Sequence, residues 1–148
     1  MQSVYAPSHR MGGWSIFSKS PLAHTTETSP LVTDANRIKL YAEWRRFWNV
    51  SQGVLVEKSP IHTMKTRFLQ AMFSPERSMF VVVMRHPFPA MRTEDLLRAR
   101  TKPACLGIDR FKLWLHIHQT LFEDLPHIRN YVVLHFEELI ASDHPYGA

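Results

Sequence analysis

Val54-Leu-Val-Glu-Lys-Ser-Pro60 and Ser78-Met-Phe-Val-Val-Val-Met-Arg-His-Pro-Phe-Pro-Ala-Met-Arg-Thr93 are the two stretches on which the fold turns. Each reads as a buried strand that ends in charged or polar residues. Glu57-Lys58-Ser59 closes the first and Arg85-His86 closes the second, and proline followed by a helix comes after each. Met79 to Met84 is continuously apolar, which suits a strand covered on both faces of a parallel sheet. In open parallel sheets, ligands bind just beyond the carboxyl ends of the strands. Basic residues on two such ends, with helix N-termini facing the same crevice, point to an anionic ligand.

Between the two strands, Ser59 is placed to cap a helix and Pro60 suits its first position. Ile61, Met64, Phe68, Leu69 and Met72 give that helix a buried stripe, with His62, Lys65 and Arg67 off it. Upstream, Thr33 or Asp34 caps a helix running to about Trp48, whose apolar face is Ile38, Tyr41, Trp44 and Trp48. Downstream, a helix is expected from Phe88 or Pro89 to about Arg100, then a loop over Thr101 to Gly107. Asp109 begins a long helix to about Leu125, with Phe111, Trp114, Leu115, Leu121, Phe122 and Leu125 inward. Tyr131 to Leu134 is a third strand, leading into a short helix through Ile140. Strands and helices alternating at this spacing argue for βαβ units and an α/β class. Residues 1–33, punctuated by Pro7, Gly12-Gly13, Pro21 and Pro30, read as an irregular N-terminal segment with a helical turn near Trp14 to Phe17. The α/β domain occupies 34–148.

A chain of 148 residues supports one domain. The formal charge of +5, with nine histidines besides, favours an anionic partner. Cys105 is the only cysteine, so neither an intrachain disulfide nor a cysteine-based zinc site can form. No apolar run approaches the ~20 residues a membrane helix needs, and no signal core is visible at the N-terminus. Cytoplasm and Golgi lumen both remain open. The basic residues are scattered and most aromatics fall on apolar stripes, which argues against nucleic acid as a partner. A small kinase would need Gly-x-x-x-x-Gly-Lys-Ser/Thr, which is absent. His116 and His118 do not share a helix face, so no metal site is expected there.

Three motifs in order carry a resemblance over roughly residues 53 to 144. They are Glu57-Lys58-Ser59-Pro60, then Arg85-His86-Pro87 with Thr93 eight residues after the arginine, then Val132-Val-Leu-His-Phe-Glu-Glu-Leu139. Together they resemble the sulfotransferases that use PAPS (3′-phosphoadenosine 5′-phosphosulfate), most strongly the carbohydrate and protein-tyrosine branches. The resemblance implies a P-loop-NTPase-like parallel sheet flanked by helices. It implies transfer of a sulfuryl group from PAPS to a hydroxyl or amine of a carbohydrate, peptide or small molecule. Arg85 and Thr93, the latter standing where the family has serine, would hold the 3′-phosphate, and Lys58 would stand beside the departing sulfuryl group. The chemistry fits these residue types. A guanidinium fork holds phosphate bidentately, and a lysine can neutralise charge on the bridging oxygen as the bond to sulfur breaks. The bland alternatives are an Arg85 pair with Glu57 or Glu137, a solvated Lys58, and a helix-surface Thr93.

The family's phosphosulfate loop, a strand followed by Arg/Lys-Ser-Gly-Thr-Thr, has no counterpart. Phe17-Ser-Lys-Ser-Pro21 lacks the Gly-Thr-Thr and a preceding strand signal. The family's later glycine-containing loop is also missing, and Pro89-Ala90 fill a region where an arginine is frequent. The expectation is therefore an incomplete sheet, a fragment of such a domain, with apolar edges that promote self-association. A fragment that binds an anionic nucleotide or polyanion without turnover is the second reading. Glu27 and His24 are both possible catalytic bases, and nothing in the spacing selects between them. Glu137-Glu138 is expected to be structural.

Overall fold

A computed structural model describes residues 3–5, 23–90 and 110–141, and gives a mixed α/β fold. Expectations at Trp14–Phe17, Phe17–Pro21, Thr93, Thr101–Gly107, Cys105 and Asp109 lie outside the described residues. In chain order the elements are α1 (Asp34–Arg45), a 3-10 helix (Pro60–Met64), α2 (Thr66–Phe73), β1 (Phe80–Met84), α3 (Arg110–Asp124), a 3-10 turn (Leu125–His127), β2 (Tyr131–His135) and α4 (Phe136–Ala141). A helical turn also opens at Pro87. No described helix is long and apolar enough to cross a membrane.

β1 and β2 pair in parallel, with Phe80 opposite Tyr131 and Met84 opposite His135. The register is set where the two strands begin. The Phe80 amide donates to Asn130 O at 3.0 Å, and Asn130 Nδ2 donates to Pro75 O at 2.9 Å. Gln70 on α2 bridges the same corner, donating to His127 O and accepting from the Arg129 amide. Parallel pairing requires a long crossover, and α3 lies within it.

The stretch 54–57 differs from its expected strand. It belongs to no strand, and Val54 is 78% exposed. The reason is that β-propensity alone leaves backbone groups unpaired unless a neighbouring strand accepts them. The Trp48 indole donates to Val56 O at 2.8 Å. Ser59 likewise makes no side-chain cap, although Pro60 does open the 3-10 helix.

Helix faces are correct for Ile61, Met64, Phe68, Leu69 and Met72, all of which are buried. Lys65 is not off the stripe as expected: it is 1% exposed. The 3-10 helix turns every three residues rather than 3.6, and Lys65 itself leaves helical geometry, with φ −137° and ψ 17°. A single α-period therefore does not run through this segment, and the break rotates Lys65 inward. In α1 the buried residues are Leu40 and Trp44, while Ile38 and Tyr41 are exposed. Arg37, exposed on the same helix, reaches α2: its Nε donates to Met72 O at 2.6 Å and so satisfies a carbonyl at the end of that helix. In α3 the inward residues are Leu113, Ile117, Thr120, Leu121 and Asp124, whereas Phe111, Leu115 and Phe122 face out. A buried polar end, described below, fixes that rotation.

Among the described residues, one face of the sheet is covered and the other is open. Phe80 packs against the core, and the alternate residues Val81 and Val83 are 57% and 54% exposed. The apolar run Met79–Met84 is thus not covered on both faces among the described residues.

Candidate functional site

Because β1 and β2 are parallel and Met84 stands opposite His135, Arg85 and Phe136 leave the sheet side by side. The Arg85 guanidinium carbon lies 4.9 Å from the centre of the Phe136 ring. Such a contact orients the cation and leaves its N–H donors free to point outward. Arg85 is exposed. Next to it, the His86 amide donates to Glu137 Oε1 at 3.0 Å, tying the end of β1 to the first turn of α4. That hydrogen bond, with the Arg85 charge as a lesser contributor, lowers the Glu137 carboxyl below its ordinary range. Glu137 therefore does structural work here. The His86 and Phe88 rings stack, with centres 5.5 Å apart and planes 29° apart.

Lys58 lies in the exposed stretch before Pro60, outside any strand. Thr93 is among the residues not described. Of the sequence-derived site residues, Arg85 stands at a strand end and Lys58 does not. The partner of Arg85, Phe136, went unnoticed in the sequence, although aligning the ends of the two apolar runs would have paired positions 85 and 136.

A second polar cluster sits where residues 23–27 lie against α2 and α3. His24 Nε2 meets both carboxylate oxygens of Asp124 at 3.0 Å. Asp124 is 1% exposed and also accepts from Thr66 Oγ1 at 3.4 Å, with Arg67 Nη1 at 3.7 Å. Arg67 pairs in turn with Glu27 through two contacts, the Nε one at 2.7 Å. Lys65 Nζ donates to Ala23 O at 3.0 Å and to Thr25 Oγ1 at 2.6 Å. Thr25 N donates to Met64 O at 3.1 Å. Burial pulls the Lys65 ammonium down to about 8.

This geometry bears on the two candidate bases. The Arg67 hydrogen bond holds the Glu27 carboxyl down at about 2, which makes it a weak proton acceptor at neutral pH. His24 commits Nε2 to Asp124, and its side chain is 37% exposed. Both residues clasp the N-terminal segment to the core. Among the described residues no group of His, Cys, Asp and Glu could hold a metal ion.

No family model, curated protein or solved structure matches this chain.

Proposed function

We propose that this chain handles PAPS, and that the domain it represents transfers the sulfuryl group to a hydroxyl or amine of a carbohydrate, peptide or small molecule. In this reading the two paired strands belong to a P-loop-NTPase-like sheet. Arg85 takes the 3′-phosphate, Thr93 adds a hydroxyl donor, and Lys58 neutralises the bridging oxygen as the bond to sulfur breaks. The observation that carries the reading is Arg85 itself. It is an exposed arginine at the carboxyl end of a parallel strand, braced on Phe136, with a helical turn opening two residues later. That is where open α/β sheets bind ligands.

One observation favours the second reading, binding of an anionic nucleotide without turnover. Lys58 follows a stretch with no strand pairing, so no ladder fixes it opposite Arg85. Positioning of the reacting groups is most of what such a transfer requires.

The test is calorimetric titration with adenosine 3′,5′-bisphosphate. Arg85→Ala is expected to weaken binding roughly ten- to hundredfold, the worth of a charge-assisted hydrogen-bonded contact. Equal affinity in the two proteins would end the assignment of Arg85.

We also propose self-association through the open sheet face. Val81 and Val83 expose apolar surface beside the paired strands, and such surfaces drive association. Sedimentation should show concentration-dependent dimers or larger species, and Val81→Lys with Val83→Lys should return the chain to a monomer. A wild-type protein that stays monomeric across the accessible concentration range would exclude this.

A further inference from the structure

We propose that the ring of Phe88, stacked on His86 and three residues beyond Arg85, is the platform on which a purine base docks when Arg85 holds the phosphate of the same nucleotide. This rests on the phosphate-binding reading of Arg85 given above.

Phe88 is 68% exposed. A lone exposed apolar residue is ordinary, but this ring is neither lone nor loosely placed. His86 stacks on it at 5.5 Å. The His86 backbone is held by Glu137 on one side, and its carbonyl accepts from the Ala90 amide at 3.4 Å on the other. The pair is therefore fixed to the same sheet end as Arg85. With so much of its surface open and one side against His86, the Phe88 ring presents flat apolar area to solvent. By contrast, Tyr5, Trp44, Phe68 and Phe73 form ring contacts within the core.

Reach and chemistry agree. Three peptide units separate the Cα atoms of Arg85 and Phe88, at most about 11 Å. A nucleoside phosphate has the right shape for such a pair: a charged group at one end, a planar π-system at the other, and a ribose between them. Stacking on an aromatic side chain suits any purine, because every base has a π-face. Arg85 thus supplies attraction for the phosphate, and Phe88 supplies the preference for a nucleotide over a simple phosphate or a sulfated sugar.

The experiment compares two ligands on the full chain: adenosine 3′,5′-bisphosphate, and ribose 3,5-bisphosphate, which lacks the base. Phe88→Ala is expected to weaken the adenosine ligand roughly ten- to hundredfold and to leave the abasic ligand unchanged. Phe88→Trp should retain binding, and its added indole fluorescence should be quenched by the adenosine ligand alone. If Phe88→Ala weakens neither ligand, or both equally, while Arg85→Ala weakens both, the platform is wrong and the phosphate site stands. If wild type binds neither ligand, or Arg85→Ala changes neither affinity, the phosphate site and the platform both fall.

Discussion

Asp124→Ala is expected to destabilise the fold by about 3 kcal/mol, in the range seen when one member of a buried charged pair is removed. Asp124 is 1% exposed and ties two other segments together: it meets His24 of the N-terminal segment, and Thr66 and Arg67 at the start of α2. Alanine would leave Thr66 facing a cavity and would remove the second carboxylate beside Arg67, which keeps Glu27. His24 is 37% exposed and can turn to water, which keeps the loss below the upper end of that range. Domains are stable by only about 5–15 kcal/mol, so the loss is a large share. Asp124→Asn keeps an acceptor for Thr66 and should cost less. Denaturant unfolding of the three proteins checks this. Equal midpoints for wild type and Asp124→Ala would mean that the clasp contributes nothing.

Acidification is expected to weaken the protein through His62, by up to about 3 kcal/mol between neutrality and pH 4. The His62 ring lies against Trp44, with centres 5.5 Å apart, and its Nε2 is 2.8 Å from the Tyr5 hydroxyl. Burial first, and the Lys65 charge second, push its pKa down from 6.5 to about 4. Between those two values the unfolded chain binds a proton that the folded chain refuses. Stability is therefore full above pH 6.5, falls as the pH drops toward 4, and gains no further slope from His62 below that. A His62→Gln variant keeps a partner for Tyr5 and cannot titrate, so its stability should decline less over the same window. Parallel stability–pH curves for the two proteins would rule His62 out as the source.

The sequence made the existence of α1, α2, α3, β1 and β2 legible, because each is a long enough run with a clear period or an unbroken apolar stretch. It was less informative about which side of each helix faces inward. In α3 the aromatics drew the expected face toward Phe111 and Phe122, while the true face includes Thr120 and Asp124. Nothing in the helix itself marks Asp124 as buried, since its partner His24 lies 100 residues away. Lys65 turns inward for a local reason that periodicity does not carry, the change from 3-10 to α geometry at that residue. Val54 to Glu57 has the composition of a strand, but pairing is a property of two segments and cannot be read from one. At the candidate site Arg85 was visible from its motif. Its brace, Phe136, depended on the register of two strands 51 residues apart.

The clasp between residues 23–27 and the core also has a consequence for the order of folding. Contacts between α2, the 3-10 helix and the adjoining turns close short loops, whereas His24 and Asp124 must close one of 100 residues. Loop closure of that length is entropically costly before it is rewarded, so the His24–Asp124 contact is placed among the last to form. Its loss in Asp124→Ala should then appear mainly as faster unfolding, with the folding rate little changed. The His24–Asp124 pair acts as a closing latch: it bears on how long the native state lasts rather than on how quickly it is reached.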